Sequence, residues 1–175
     1  MLFRSEAARW YQEAFDTPGA APATRARACY GLGVVAERQQ QWAEAAQWYR
    51  QALDTPGAAP ATRASACYGL GYVATEQRQW EEAAQWHQRA LDTPGAAPAT
   101  RARACLGLGI VAERQQQWAE AAQWHRQALD MPGAAPDTRA RACHGLGYVA
   151  AEQQQWAEAV QWYRQVLDMP GARLN

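Results

Sequence analysis

Cysteine and histidine are the side chains in this sequence with the widest chemical range, as nucleophiles, metal ligands and general bases. The four cysteines, Cys29, Cys67, Cys105 and Cys143, stand at a constant interval of 38 residues. Neither they nor the three histidines, His87, His125 and His144, approach the paired ligand spacings of a zinc site. Cysteines on equivalent faces of neighbouring helical units lie about 8–10 Å apart, whereas a disulfide needs Cα atoms within ~7 Å. The sequence therefore predicts four small buried hydrophobes, with no bridge, metal or cofactor. Gly-Leu-Gly at 31–33 lacks the strand and phosphate-loop setting of a nucleotide site, and the Glu-Arg and Glu-Glu pairs read as solvated faces. No catalytic constellation emerges, and the expectation is a protein that is not an enzyme.

The text around each cysteine recurs as well, from Thr-Arg-Ala through Gly-Leu-Gly and Gln-Trp to Leu-Asp and Pro-Gly. A fixed period of this kind denotes a solenoid of stacked units. Residues 7–19 match the second half of the unit, as residues 45–57 show. The expected organisation is an N-terminal half unit of one helix at 1–21, units at 22–59, 60–97 and 98–135, and a fourth with the C-terminal tail at 136–175. Together these form one solenoid domain.

Seventeen arginines balance seventeen acids with no lysine, so the net charge is zero. No basic field awaits nucleic acid or anionic lipid. No apolar stretch approaches the ~20 residues that span a bilayer. Met1-Leu2-Phe3 runs directly into Arg4-Ser5-Glu6, which leaves no room for a signal peptide, and a cytoplasmic location is expected. Arginine without lysine in an alanine-rich chain points to a GC-rich, bacterial coding sequence.

Apolar residues recur at helical intervals, as in Cys29, Leu32, Ala36 and in Ala45, Trp48, Ala52. Asp-Thr-Pro-Gly-Ala-Ala-Pro at 54–60 ends one helix and opens the next, with Pro60 in a first turn where its missing N–H is harmless. The spacing predicts a first helix over 22–39, a turn at Gln40-Gln41 and a second helix over 42–53. Helices this short need their neighbours for stability.

The unit resembles a tetratricopeptide repeat, through Leu32-Gly33 followed by Ala45, Tyr49, Ala52 and Pro56, and through Leu70-Gly71, Leu108-Gly109 and Leu146-Gly147 in the later units. It departs from the family's pattern where the early tryptophan is replaced by the cysteines and the first-helix tyrosine by Ala36, Ala74, Ala112 and Ala150. Gln40, Arg78, Gln116 and Gln154 stand where the family has an inter-helix glycine. The unit is also longer than the usual ~34 residues, through an extended first helix. The wording is also similar to repeats appended to bacterial signalling proteins. The resemblance implies an all-α fold, a right-handed αα solenoid of stacked antiparallel helix pairs, and a protein-binding groove lined by the first helices.

Residues three, four and seven apart share a helix face. Cys29, Leu32 and Ala36 then form a core stripe, nearly constant between units, and Arg27, Tyr30, Val34 and Arg38 form another, which the resemblance turns toward the groove. The second stripe varies along the chain, through Tyr68, Tyr72 and Glu76, then Arg103, Leu106, Ile110 and Arg114, then Arg141, His144, Tyr148 and Glu152. Its mixture of aromatic side chains and alternating charge suits a peptide or protein segment of mixed charge. It does not suit the family's carboxylate clamp, whose asparagine and lysine are missing here.

Gly33, Gly71, Gly109 and Gly147 are expected to let the partner helix approach. Gly31 and its equivalents flank the groove, and either deepen a pocket or admit a ligand backbone. Asp16, Asp54, Asp92, Asp130 and Asp168 are expected to pair with arginines such as Arg25 or to cap the next helix. The tryptophans read as packing residues, with one indole per unit able to reach the convex surface. The final helix looks like every other second helix and lacks a polar cap. The chain is then a fragment of a longer array, or stacks end to end on the half unit beginning at Met1-Leu2-Phe3 of another copy. Partner binding ranks first, self-association second and a spacer role third.

Overall fold

The computed structural model describes residues 2–169, with side chains from residue 6 onward. Nine helices occupy the described residues: α1 (Leu2–Asp16), α2 (Pro22–Arg38), α3 (Trp42–Asp54), α4 (Pro60–Glu76), α5 (Trp80–Asp92), α6 (Pro98–Arg114), α7 (Trp118–Asp130), α8 (Pro136–Glu152) and α9 (Trp156–Leu167). The fold is an all-α solenoid of repeated helix pairs. It divides into two compact units, 1–96 with α1–α5 and 97–175 with α6–α9.

Within a pair the helices run antiparallel. Ala140 and Cys143 near the start of α8 cluster with Val166 near the end of α9, while Gly147 further along α8 meets the ring of Tyr163. The core between helices is made of small side chains. Ala26, Cys29, Ala45 and Ala52 are wholly buried, as are Ala121, Ala128, Ala142 and Cys143 in the second unit. Alanine and cysteine let helix axes approach closely, so packing of neighbours supplies the stability that short helices lack.

Each first helix ends in a left-handed residue. Gln40 has φ +59°, and Gln40 N and Gln41 N donate to the carbonyls of Glu37 (2.9 Å) and Ala36 (3.0 Å), which is a Schellman closure. The same bonds recur after α4, α6 and α8. A side chain in this conformation costs roughly 1 kcal/mol that glycine avoids. Replacing the exposed Gln116 (φ +59°) by glycine is therefore expected to raise stability by about 1 kcal/mol, read as a later midpoint in urea. A lower midpoint would show that the glutamine side chain contributes contacts that outweigh its strain.

Second helices close differently. Ala58 N donates to the Thr55 carbonyl across Pro56-Gly57 (φ +77° at Gly57), a type II turn, and Thr55 Oγ1 donates back to the Gln51 carbonyl at 2.7 Å. Here the structure corrects the expectation for the aspartates. None of α2–α9 carries a side-chain N-cap; α2, α4, α6 and α8 start from Ala21, Ala59, Ala97 and Ala135 with proline in the first turn. Asp16 and Asp92 accept hydrogen bonds from Gln12 and Gln88 one turn back on their own helices, and Arg25 reaches the Thr17 carbonyl at 3.4 Å. At Thr17, Thr55 and Thr93 the threonine after the aspartate turns its hydroxyl onto the carbonyl four residues back and closes the helix, whereas Asp130 and Asp168 are followed by methionine.

Candidate functional site

The core stripe and the variable stripe separate in the fold. Cys29, Leu32 and Ala36 are buried, whereas Arg27 and Arg38 are exposed at either end of α2, with Tyr30 and Val34 half-buried between them. On α4, Tyr68 and Tyr72 are half-buried and Glu76 is exposed. Tyr30 lies against Tyr49, with ring centroids 5.8 Å apart, and Tyr72 presents itself to Trp42 of α3 at 6.3 Å. Tyr11, Thr24, Arg27, Tyr30, Thr62 and Ser65 are among the residues lining a cleft of about 440 Å³ in this unit.

In the second unit Arg103, Arg114, Arg141, His144, Tyr148 and Glu152 are exposed and Ile110 is half-buried. Tyr148 meets Trp118 at 6.2 Å, as Tyr72 meets Trp42. Leu106 departs from expectation. It is only 3% exposed, because a leucine stops short of the surface that a tyrosine ring reaches, and it serves as a cleft wall. With Ile110, Glu113, His125, Arg141, His144 and Gly145 it encloses about 300 Å³.

The residues beneath this stripe are a ring sandwiched by glycines. A Cβ on Gly33 would lie 2.5 Å from the Tyr49 ring, and one on Gly69 of α4 would also lie 2.5 Å from it. His125 stands in the same relation to Gly109 and Gly145, Tyr11 meets Gly31, and Tyr163 meets Gly147. The glycines thus admit one aromatic side chain apiece. Neither alternative holds for Gly31 and Gly69, since the space left by the missing side chain is filled by the protein's own ring, whereas Gly145, though backed by His125, also lines the cleft beside Leu106.

Two glutamates were misread as solvated. Tyr49 donates its hydroxyl to Glu37 Oε2 at 2.6 Å, and His125 Nε2 lies 2.7 Å from Glu113 Oε1, with the Glu113 side chain 14% exposed. Burial pushes the Glu37 carboxyl above the usual range, against the lowering effect of the Tyr49 hydroxyl and Arg38. Burial together with the Glu37 charge holds the Tyr49 phenol far above its ordinary value. The signal was present at a spacing of 12: where glutamate stands at 37 or 113, a ring with a donor stands at 49 or 125. In the even units Thr75 and Ala151 replace the acid. His87, 2% exposed, leaves Nδ1 without a partner, and burial pushes its pKa down to about 4.

The second helices carry the ion pairs found among the described residues: Arg9–Glu13, Arg50–Glu82 and Arg126–Glu158. Trp48, Trp86, Trp124 and Trp162 each donate an indole N–H to the glutamate four residues earlier. The stripe arginines enter none of these pairs. Trp42 and Trp118 pack beside the stripe tyrosines Tyr72 and Tyr148.

All four cysteines are free and buried, and burial raises their thiols, that of Cys105 to about 11. Such thiols stay protonated at neutral pH and act as small core residues. Among the described residues no three metal-ligating side chains gather, and no helix is long and apolar enough to cross a membrane.

Models of the tetratricopeptide repeat match residues 26–55, 66–97, 104–138 and 139–169. No curated protein matches the sequence. Among solved structures the chain is similar to BtubC (BKLC) from P. vanneervenii, at 18% identity and TM-score 0.79, over 99% of this chain and 78% of that one. It is similar to MamA 41-end from Desulfovibrio magneticus RS-1, at 19% identity and TM-score 0.69, over 94% and 84%. It is also similar to YrrB, described as a TPR protein with an unusual peptide-binding site, at 20% identity and TM-score 0.61, over 95% and 78%. At these identities the likeness is one of fold.

Proposed function

The chain belongs to the tetratricopeptide repeat family, and from that premise we propose that it is a non-enzymatic scaffold binding an extended segment of a partner protein along the variable stripe of its first helices. One observation carries this reading. On the second helices Arg50 and Arg126 pair with glutamates, whereas Arg27, Arg38, Arg103, Arg114 and Arg141, like Arg89 and Arg164, enter no ion pair among the described residues, and the five of the stripe share it with Tyr72 and Tyr148. Exposed arginine beside aromatic rings is the composition of binding hot spots. Glu76 and Glu152 alternate with Arg38 and Arg114, so the segment that fits carries both charges. The peptide-binding site named for YrrB gives the reading a structural precedent. The balanced charge disfavours nucleic acid and anionic membranes as partners.

A random peptide library selected against the chain tests the proposal. Peptides that bind are expected to lose roughly tenfold or more in affinity to Tyr148→Ala and to Arg114→Glu, and to be indifferent to Arg126→Ala on the second helices. Loss at Arg126 with no loss on the stripe would overturn it.

Self-association is the second reading, favoured by α9, where Trp156, Val160 and Leu167 are 64%, 47% and 80% exposed. Its expected counterpart at Met1-Leu2-Phe3 lies outside the residues whose side chains are described. Mass measured by light scattering across a wide concentration range separates the two readings: a constant 19.4 kDa leaves the scaffold alone, and growth with concentration favours assembly.

A further inference from the structure

We propose that the cleft bounded by Leu106, Ile110, Glu113 and Arg141 is a specificity pocket for a tyrosine side chain of the bound segment; this rests on the scaffold reading and gives it a chemical anchor. Five of the seven residues lining this cleft differ from their equivalents in the first unit. Tyr30, Tyr49 and Tyr68 of the first unit become Leu106, His125 and His144 in the second. In the first unit Tyr30 lies on Tyr49 with centroids 5.8 Å apart, and the Tyr49 phenol donates to Glu37 at 2.6 Å. In the second unit all three phenols are missing, and about 300 Å³ of open cleft lies above His125.

The polar groups that remain select the occupant. Glu113 gives Oε1 to His125 at 2.7 Å, and its other oxygen has no donor among the described residues, although a carboxylate accepts several. His125, 1% exposed, lines the same cleft and leaves Nδ1 without a partner. Arg141, which replaces Ser65 of the first unit, adds a guanidinium. An acidic occupant would face Glu113 and a basic one Arg141. A purely apolar ring would desolvate the free Glu113 oxygen without replacing its hydrogen bond. A phenol meets the demands of Glu113 and Arg141: its ring packs on Leu106 and Ile110 with the guanidinium over its face, and its hydroxyl donates to Glu113 as Tyr49 does to Glu37.

N-acetyl-tyrosinamide and N-acetyl-phenylalaninamide, titrated into the isotope-labelled full chain by NMR, provide the test. The tyrosine compound is expected to shift His125 and Ile110 resonances saturably and to bind about tenfold more tightly than the phenylalanine compound, the worth of one hydrogen bond to a charged acceptor. Leu106→Tyr, which restores the residue of the first unit, is expected to abolish the shifts. Glu113→Gln, a second variant independent of filling the cleft, is expected to bring the tyrosine compound down to the phenylalanine level. Equal binding of the two compounds, absence of shifts at the cleft, or shifts that survive Leu106→Tyr would each overturn the proposal. These compounds have no extended backbone, so a failure here leaves the scaffold reading to its own peptide test.

Discussion

Gly69→Ala is expected to destabilise the chain by roughly 2–3 kcal/mol, in the opposite direction to helix propensity, which by itself favours alanine over a mid-helix glycine by about 1 kcal/mol. The new Cβ would sit 2.5 Å from Tyr49 Cε2 and 2.6 Å from Cζ. The ring cannot retreat, because a Cβ built on Gly33, on its other side, also lies 2.5 Å from it, and Tyr49 is 1% exposed. Overpacking of this kind is relieved only by moving α4 away from α3, which opens the alanine core. Urea denaturation of the single variant gives the size of the effect, and a double-mutant cycle with Tyr49→Leu gives its cause. Tyr49→Leu removes the ring, so in that background Gly69→Ala should be close to neutral or stabilising. Equal effects in both backgrounds would mean that the glycine is needed for some reason other than the ring.

Stability should also fall by about 3 kcal/mol on acidification, through His87. Its imidazole is 2% exposed, has no carboxylate at the position where Glu113 serves His125, and is held at about 4 instead of 6.5. In the unfolded chain it takes up a proton below 6.5, and in the folded chain only below about 4. Between those values the unfolded state binds more protons, so stability declines as pH drops through this window and is fully present above it. Glu37 works against this trend, since its raised pKa makes the folded state take up a proton sooner as pH falls. The informative quantity is therefore the difference between the native chain and His87→Tyr, which carries the residue found at Tyr49 and Tyr163. Denaturation at pH 7.5 and pH 4.5 should show the variant gaining on the native chain at the lower pH. A difference that does not change with pH would mean that His87 is solvated or partnered in solution.

The helices and their order were legible because punctuation repeats with the period. Pro22, Pro60, Pro98 and Pro136 each open a first helix, and Trp42, Trp80, Trp118 and Trp156 each open a second. The core stripe was legible because Cys29, Leu32 and Ala36 combine helical spacing with constancy from unit to unit. Of the variable stripe, Leu106 is fully buried, at 3% exposed, and the other residues are half-buried or exposed. Glu37 and Glu113 were not read, since a charged residue beside an arginine looks solvated until the ring above it is seen. The aspartates misled for a related reason. Recurrence drew attention to the aspartates, but could not show that, where a threonine follows, its hydroxyl closes the helix, as Thr55 does 2.7 Å from the Gln51 carbonyl.

By itself the sequence determined the class of the protein: a 38-residue period, two helices per period, small residues on one face and variable residues on the other. Those features follow from local propensity and from periodicity along one helix, and each is contained within a short window of the chain. Only the tertiary structure decided what the glycines face, which glutamates lose their water and where a cleft remains open. Tyr49 meets Gly69 only when α3 lies against α4, and Leu106 borders a cleft only when α8 brings Arg141 and His144 beside it. Distances of this kind depend on how two helices pack, and helical periodicity within either one carries no information about them.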